Sequence, residues 1–158
     1  MNAFQASMKT PFGHLGIRLE ADRLSAVEFI RQQKERLPGD DAAMEICQRI
    51  RRYLDDPLQN DCLDIPVCYT GTPFQVKVWK ALRKIPPGRV LTYGELADML
   101  DTSARAVGNA CRKNPIPVVI PCHRVIAASG IGGYAGATDG SLLAIKNWLL
   151  KHEGVAVA

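Results

Sequence analysis

Two residues with reactive side chains stand next to each other in the last third of the sequence. Cys122 and His123 follow the apolar run 116–120 and precede Arg124, in the stretch NPIPVVIPCHRV. A cysteine attacks as its thiolate, and because a free thiol has a pKa of about 8.5 it needs a cation, a histidine or a helix N-terminus nearby. A neighbouring histidine can take the proton, directly or through a water molecule, and a carboxylate can orient that histidine. The pattern indicates a nucleophilic cysteine fixed at the exit of a buried strand.

Few carboxylates in the C-terminal half of the chain could orient His123. Glu153 is favoured because it ends the apolar segment in LLKHEG, where a helix has to pack on the core. Taken alone, a Cys-His dipeptide is more often a small buried thiol beside a surface histidine. The pair therefore needs support from the rest of the chain. The other candidate carboxylates are Glu95, Asp98, Asp101 and Asp139.

The composition is that of an ordinary globular protein. The 158 residues suffice for one medium domain or two small ones, and 47% of them are hydrophobic. No apolar run reaches the roughly 18 residues of a membrane span, and the N-terminus lacks the pattern of a signal peptide. The five cysteines are odd in number and show no paired spacing, which argues against a disulfide framework and a zinc site. We expect a cytoplasmic protein with reduced thiols, no metal and no membrane partner.

Charge is distributed unevenly along the chain. Residues 1–69 hold nine Lys and Arg against eleven Asp and Glu, whereas residues 70–158 hold eleven against five. A basic half is typical of proteins that bind a polyanion. On charge alone, however, a solvated basic face is the commoner explanation.

Hydrophobic periodicity predicts strands followed by a helix in the first part of the chain. The alternation within residues 14–20 has period two, and residues 41–55 change to helical spacing. Residues 56–70 are expected to be a linker or a last strand. The predicted inward positions are Leu15, Ile17 and Leu19 in the strand and Met44, Ile46, Cys47, Ile50 and Leu54 in the helix.

Capping residues divide the second part into short helices. Thr72 before Pro73 opens the first, Thr92 the second and Ser103 the third, and the last helix is expected over 141–152. The second and third helices are joined by a tight turn, and the third is basic. This arrangement predicts a helix-turn-helix.

The residues around Cys122 resemble those of the O6-alkylguanine-DNA alkyltransferase family. The similarity runs from GTPFQVKVWKALRKIPPGRVLTYGELA through PCHRV and GGYAG to LLKHEG, which is most of residues 71–154. The cysteine-centred motif is highly specific, whereas the first 70 residues match only in general character.

The resemblance implies an α/β (α+β) fold in two domains. Residues 1–69 would form a small supporting domain, an antiparallel sheet with a helix, ribonuclease-H-like in type. Residues 70–158 would form a mainly helical domain with a winged-helix-like helix-turn-helix, which binds DNA and transfers the alkyl group.

The resemblance also implies a role for each matching residue. Cys122 would accept the alkyl group, His123 would deprotonate it through a water molecule, and Glu153 would hold His123. Asn114 would tie the end of the recognition helix to the active-site segment. Tyr93 would help to rotate a phosphate and would stabilise the leaving guanine. The substrate pocket would be formed by Tyr134, Ala135, Pro117 and Val125, with backbone near Val125 reading the guanine edge.

The DNA-binding residues implied by the resemblance lie on the third helix. A thiolate cannot reach guanine O6 inside a duplex, so the nucleotide must flip, at a cost of a few kcal/mol of unstacking. Arg105 would enter the base stack, and a helix in the minor groove would offset the cost. Arg112 and Tyr93 would also contact the DNA. Small residues would allow close approach to the backbone, namely Ala104, Ala106, Gly108 and Ala110.

The implied reaction is a single, irreversible transfer of an alkyl group from O6 of guanine in double-stranded DNA to Cys122. O4-alkylthymine is a further candidate substrate. The protein would act as a monomer, once per molecule, without a cofactor. The sequence departs from the family in a shorter turn within DMLDTSARAV and a longer segment, ATDGSLLAIKNW, after Tyr134. With Ala135 in place of a small polar residue, a backbone amide or another group would have to polarise O6.

Three other functions each predict sequence features that can be compared with this chain. A lesion sensor that flips and binds the damaged base without reacting would lack the acceptor cysteine, and Cys122 is present. A transcription regulator would show long base-reading side chains within 104–112 and a dimer surface. A cysteine hydrolase would pair Cys122 directly with His123, but adjacent side chains diverge, which makes a bridging water more natural.

Overall fold

The structure is a computed structural model that describes residues 4–30, 35–58, 64–130, 132 and 140–156. Chain contacts divide it into two units, Met1–Tyr69 with Pro115–Val119, and Thr70–Asn114 with Ile120–Ala158. A small antiparallel sheet and several helices confirm the α/β class. Within these ranges, every helix is too short or too polar to cross a bilayer.

The first unit contains a three-stranded antiparallel sheet. Its strands are β1 (Ala6–Thr10), β2 (Gly13–Glu20) and β3 (Arg23–Ile30), in the order β1-β2-β3. The predicted period-two strand is confirmed, since Leu15 and Ile17 are fully buried. Leu19 is only half-buried, because the register with β3 shifts between residues 18 and 19.

One helix of the first unit, α1 (Asp41–Asp55), has the predicted bounds. The Asp40 side chain caps it by accepting a hydrogen bond from the Ala43 amide at 2.8 Å. The prediction that Met44 points inward is wrong, since 44% of this residue is exposed. The buried face is set by Ala43, Ile46, Ile50, Tyr53 and Leu54, which leaves Met44 at its edge.

The segment ahead of the Cys-His pair is buried, as predicted, but it is not a strand. Residues 115–120 form bends, a turn and single bridges. Pro115 and Pro117 lack the amide hydrogen that a strand ladder needs. Val118 has φ 75, a left-handed conformation that a β-branched residue rarely adopts. Pro115 belongs to the first unit, where its carbonyl accepts a hydrogen bond from the Val27 amide at 3.1 Å.

The second unit is built mainly from helices. The predicted caps are confirmed, because the Thr72, Thr92 and Ser103 side chains each accept a hydrogen bond from the amide three residues later. Thr72 and Thr92 complete capping boxes with Gln75 and Glu95. In chain order the elements are α2 (Pro73–Leu82), β4 (Leu91–Thr92), α3 (Tyr93–Met99), α4 (Ala104–Arg112), a 3-10 helix (Cys122–Arg124), β5 (Val125–Ile126) and α5 (Gly140–His152).

A tight turn joins α3 to α4, as the sequence predicts. Asp101 has φ 56, and its amide donates to the Asp98 carbonyl at 3.3 Å. The Thr102 amide donates to the Ala97 carbonyl at 2.9 Å, which completes a Schellman motif with aspartate at the left-handed position. The buried Trp79 indole on α2 donates to the Ala110 carbonyl at 2.9 Å and so fixes α4 from behind.

Two short strands bring the start of α3 beside the segment that follows the cysteine. β4 and β5 pair in parallel, with Leu91 opposite Val125 and Thr92 opposite Ile126. Tyr93 comes directly after β4, and Val125 directly after the 3-10 helix. Residues that are about 30 apart in the sequence are therefore neighbours here.

Candidate active site

Cys122 begins the 3-10 helix and is buried, with 5% of its surface exposed. The preceding Pro121 has φ −83 and ψ 66, the geometry of an inverse γ-turn. The Cys122 amide accordingly donates to the Ile120 carbonyl at 2.8 Å. Because the proline ring fixes φ, this turn holds the cysteine backbone in one orientation. The sequence predicts that a buried strand holds Cys122 rigidly. In the structure a turn at Pro121 holds it instead.

Asn114, just after α4, is tied to the same turn. Its Nδ2 donates to the Ile120 carbonyl at 2.8 Å, so that carbonyl accepts from both Asn114 and Cys122. Burial raises the pKa of the Cys122 thiol, whereas a hydrogen bond with the Asn114 side chain and the charge of Lys146 lower it. The latter two contributions favour the thiolate, which is the nucleophilic form.

His123 is fully buried and faces Glu153. Its Nε2 lies 2.7 Å from Glu153 Oε2. Because an ionised carboxylate only accepts, Nε2 carries the hydrogen in this pair. Burial lowers the pKa of His123, and the hydrogen bond and charge of Glu153 act in the opposite direction. A neutral ring in this tautomer has its lone pair on Nδ1, which is buried and bonded to no protein atom in the described ranges.

The end of α5 fixes the position of Glu153, the first residue after the helix. Gly154 follows with φ 85, and its amide donates to the Lys151 carbonyl at 3.0 Å. The Val155 amide donates to the Leu150 carbonyl at 2.9 Å. These two bonds form a Schellman motif with glycine at the left-handed position. The Glu153 side chain is left fully buried.

Arg124 shares Glu153 with His123. Its Nε donates to Oε1 at 2.9 Å and its Nη2 to Oε2 at 2.8 Å, while Nη1 donates to the Ile85 carbonyl at 2.6 Å. Only 1% of Arg124 is exposed. Burial alone would raise the pKa of Glu153, but the hydrogen bonds and charges of His123 and Arg124 outweigh it and hold that pKa well below its usual range. Glu153 is therefore a carboxylate anion.

Lys146 is a second buried cation in the site. Its Nζ donates to the Val125 carbonyl at 2.7 Å and lies 5.7 Å from the centre of the Tyr93 ring. Burial lowers the pKa of Lys146 to about 8, against the opposing influence of the Cys122 and Cys111 thiols. Near neutral pH this ammonium group is thus a charge that the protein holds at a cost in free energy.

Tyr93 lies at the first position of α3 and is partly buried. A Cβ atom on Gly132 would come within 3.0 Å of the ring and 3.3 Å of the hydroxyl, so glycine permits this close approach. Burial raises the pKa of Tyr93, and the Cys111 and Cys122 thiols raise it further. The phenol keeps its proton and remains a hydrogen-bond donor.

Cys111 is the second thiol close enough to influence Cys122. It lies in the last turn of α4 and is 7% exposed. Burial raises the pKa of Cys111 above its usual value, with a further contribution from Cys122. The pKa of Cys122 is raised by burial as well, but only Cys122 is followed in the sequence by a histidine that can take its proton.

Most of the predicted DNA-contacting residues lie on α4, whereas Tyr93 begins α3. Arg105 and Arg112 are exposed, and Gly108 is partly exposed with open space where a Cβ would be. Ala106 is partly exposed, and its amide donates to the Ser103 cap. Of the small residues expected on this face, Ala110 is instead buried at 3%. Its side chain packs on the buried side of the helix, and its carbonyl accepts a hydrogen bond from the Trp79 indole.

The predicted pocket residues fall in different places. Val125 is fully buried and lies two residues after His123 in the sequence. Its carbonyl accepts the hydrogen bond from Lys146. Pro117 is buried in the segment that groups with the first unit. Tyr134 and Ala135 lie outside the described residues.

Sequence reasoning missed three residues. Glu153 directly follows α5 and is seven residues after Lys146, two helical turns on, so the inward prediction for Glu153 already implied an inward lysine. Asn109 is exposed four residues after Arg105 and shares its face of α4. No sequence signal identified the partners of Arg124, because its contacts join residues 29 and 39 positions away.

Comparisons with known proteins agree with this geometry. A family model described as the DNA binding domain of 6-O-methylguanine DNA methyltransferase matches residues 73–155. The chain is 34% identical to a methylated-DNA–protein-cysteine methyltransferase of Metallosphaera sedula, over 92% of this chain and 89% of that protein.

Solved structures give the same result. The Mycobacterium tuberculosis O6-methylguanine methyltransferase R37L variant is similar, with a TM-score of 0.78, 34% identity and coverage of 96% of this chain and 93% of that one. A Mycobacterium tuberculosis relative in complex with DNA has a TM-score of 0.73 and 32% identity, over 94% and 91% of the two chains. The chain belongs to the 6-O-methylguanine DNA methyltransferase family.

Proposed function

We propose that this protein repairs DNA by transferring the alkyl group of O6-alkylguanine to its own Cys122. One observation supports this function above the others. A buried cysteine is followed directly by a histidine whose Nε2 is bonded to the Glu153 carboxylate, so that Nδ1 is the basic atom. The family and the methyltransferases to which the chain is similar support the same activity.

The chemistry needs a nucleophile and a base, and the site supplies both. The Cys122 thiol gives its proton to His123 Nδ1 through a water molecule, as the divergence of adjacent side chains favours. The thiolate Sγ attacks the alkyl carbon, an S–C bond forms, and the bond from that carbon to O6 breaks. The electron pair goes to the guanine, which takes up a proton and becomes an ordinary guanine. No cofactor or metal enters this balance.

Two further side chains assist in the proposal. Tyr93 stays protonated and donates a hydrogen bond as charge develops on the leaving guanine. Asn114 holds the turn that carries Cys122 and favours its thiolate. Pro117, Val125, Tyr134 and Ala135 are proposed to line the base pocket, and O4-alkylthymine is a second candidate substrate.

The proposed DNA surface is the exposed face of α4. We assign the position in the base stack to Arg105 and phosphate contacts to Arg112, with Ala106 and Gly108 facing the backbone of the minor groove. The alkylated base must leave the helix, since its O6 is otherwise inaccessible to a buried thiol. We further propose that the protein acts as a monomer. A reactive free thiol also suits the reducing cytoplasm.

The finer architecture is part of the proposal. Residues 1–69 would act as a supporting domain of ribonuclease-H-like type, and residues 70–158 as a winged-helix-like domain for DNA binding and transfer. The three-stranded sheet with α1 supports the former, and α3 followed by α4 supports the latter.

The acceptor is tested with two serine variants. Duplex DNA carrying O6-[³H-methyl]guanine is incubated with wild type, Cys122→Ser and Cys111→Ser, and protein-bound label is counted. Loss of label in Cys122→Ser with DNA binding retained, and full label in Cys111→Ser, is the expected result. Label retained by Cys122→Ser would refute Cys122 as the acceptor.

A further inference from the structure

The positive charge that follows the Cys-His pair has no role in the reaction described so far. Arg124 is 1% exposed, and its guanidinium group donates three hydrogen bonds to Glu153 and Ile85. Two of them form a fork around Glu153, and the third ends on the Ile85 carbonyl beyond α2. Burying a guanidinium group is expensive unless it is fully paired. We therefore expect the buried Arg124 to influence the charge state of the groups around Glu153, its carboxylate partner.

The pairing determines which side chain balances the charge of Glu153. One carboxylate faces two groups that could be cations, Arg124 and His123. An arginine side chain is always protonated in a protein, whereas a histidine titrates near neutral pH. Arg124 therefore neutralises Glu153 at every accessible pH. His123 does not have to be charged to satisfy the carboxylate.

Without Arg124 the balance would change. A carboxylate beside a buried histidine, with no other counter-charge, favours the imidazolium ion. An imidazolium has hydrogens on both nitrogens and cannot accept a proton. His123 would then fail as a base for Cys122, although its distance to Glu153 could be unchanged.

We propose that Arg124 is a positioning residue that holds His123 neutral, with its hydrogen on Nε2 and its lone pair on Nδ1. Arg124 does so by taking the charge of Glu153 through the fork while leaving Oε2 able to accept from His123. The inference rests on the proposed function only in so far as the lone pair serves to deprotonate Cys122.

Of the other charged groups around His123, Lys146 lowers its pKa as Arg124 does, whereas Glu153 raises it. Lys146 and Glu153 face it from α5, and Cys122 and Arg124 flank it in the 3-10 helix. The positive charges of Arg124 and Lys146 both lower the pKa of His123, and burial lowers it most. Glu153 alone raises it.

The protonation of His123 is read directly by NMR. Protein with ¹⁵N-labelled histidine is titrated from pH 5.5 to 8.5, and the Nδ1 and Nε2 shifts of His123 are followed. In wild type we expect a neutral ring protonated on Nε2 throughout the neutral range. An imidazolium ion at pH 7.5, or the Nδ1–H tautomer, would overturn the inference.

Variants then test the cause. Arg124→Met is expected to raise the pKa of His123 by at least about one unit, because the Glu153 charge is no longer balanced. Arg124→Lys keeps the charge and should leave His123 neutral. The exposed Arg89→Met is the matched control and should leave the His123 titration unchanged. A folded Arg124→Met protein with a wild-type His123 titration would overturn the inference.

The double variant Arg124→Met/Glu153→Gln covers the case in which Arg124→Met does not fold. It removes both charges, so His123 should again be neutral, and an imidazolium ion in it would contradict the inference. Methyl transfer is measured separately across the same pH range. Transfer by Arg124→Met should be slower at each pH at which the NMR titration shows His123 protonated, and it should recover as the pH rises through the raised pKa, since only the neutral ring can act as the base. If wild type transfers no methyl group, the proposed function fails while the NMR result still decides the role of Arg124.

Discussion

Asn114 Nδ2 donates a hydrogen bond of 2.8 Å to the carbonyl oxygen of Ile120. The same oxygen accepts the Cys122 amide hydrogen at 2.8 Å. One side chain at the end of α4 thus fixes the turn that presents the thiol. The helix proposed to meet DNA and the proposed acceptor are connected through two hydrogen bonds on one atom.

Asn114→Ala should therefore affect the thiol more than the fold. We expect a loss of about 1–2 kcal/mol in the free energy of unfolding, as is typical for one partly buried hydrogen bond. The pKa of Cys122 should rise, because the Asn114 side chain lowers it. Iodoacetamide labelling of Cys122 against pH and urea unfolding measure the two effects. Lys113→Ala, exposed at the adjacent position, is the control. An unchanged labelling profile would rule out a role for Asn114 at the thiol.

Lys146 should make the free energy of unfolding increase as the pH rises. A base whose pKa is raised by a partner has the opposite effect. Its pKa is lowered to about 8 in the folded state, against about 10.4 in an unfolded chain. Between these values the unfolded state binds more protons than the native state, so this group adds stability as the pH rises. Below about pH 8 it is charged in both states, and the cost of burial is felt in full.

The comparison of wild type with Lys146→Met isolates this effect from other titrating groups. The free energy of unfolding of wild type relative to the variant should increase between pH 7.5 and pH 10, by on the order of 1–3 kcal/mol. Urea unfolding at each pH gives the difference. Lys151→Met, on the exposed side of the same helix, should show no such trend. A pH-independent difference for Lys146→Met would mean that the lysine is not held at a cost.

Gly154→Ala tests how the end of α5 places Glu153. A Cβ atom at this position would meet nothing within 4 Å, so only the backbone conformation, φ 85, opposes the substitution. We expect a loss of about 1 kcal/mol in the free energy of unfolding and a shift of the His123 NMR signals as Glu153 moves. Gly39→Ala is the control, since Gly39 has equal space and no positive φ. A loss of stability with unchanged His123 NMR signals would show that the conformation of Gly154 does not determine how Glu153 contacts His123.

Arg105 and Arg112 should differ in their effects on DNA. Arg112→Ala is expected to weaken binding to any sequence and to lower the slope of log affinity against log salt by about 0.9. Arg105→Ala should slow repair in duplex DNA but not reaction with the free base O6-methylguanine, because only the duplex requires flipping. Arg49→Ala, in an exposed ion pair on α1, is the control. Equal slowing of Arg105→Ala on both substrates would argue against an inserted side chain.

Local signals in the sequence were sufficient to predict the helices of the second unit. They were not sufficient to predict the buried hydrogen bonds that join Arg124 to Glu153. Thr72, Thr92 and Ser103 act within three residues of themselves, and such short-range capping can be seen without coordinates. The turn at Val118 could not be seen, because β-branched residues favour extended backbone and this one adopts φ 75. The sequence pattern also overestimated the burial of Met44. Helical spacing places this residue near the apolar face of α1, but the packing of the whole helix decides which side is buried.

The residues of the candidate site also fall into two groups, those that the sequence predicted and those that only tertiary contacts reveal. The Cys-His motif and the carboxylate after the last apolar helix were recognisable from residue types and spacing, and the structure brings them together. Arg124 and Lys146 were not placed, because a charged residue is normally solvated and only tertiary contacts can compensate its burial. Tyr134 and Ala135 stay predictions.

The central claim is that Cys122 takes one alkyl group from O6-alkylguanine. The most direct test is intact-protein mass spectrometry after incubation with a duplex that contains one O6-methylguanine, followed by peptide mapping. We predict a mass gain of one methylene group, which saturates at one per protein and maps to the peptide containing Cys122. Tight binding of the lesion with no gain in mass would contradict the account and would favour a protein that senses the damaged base without repairing it.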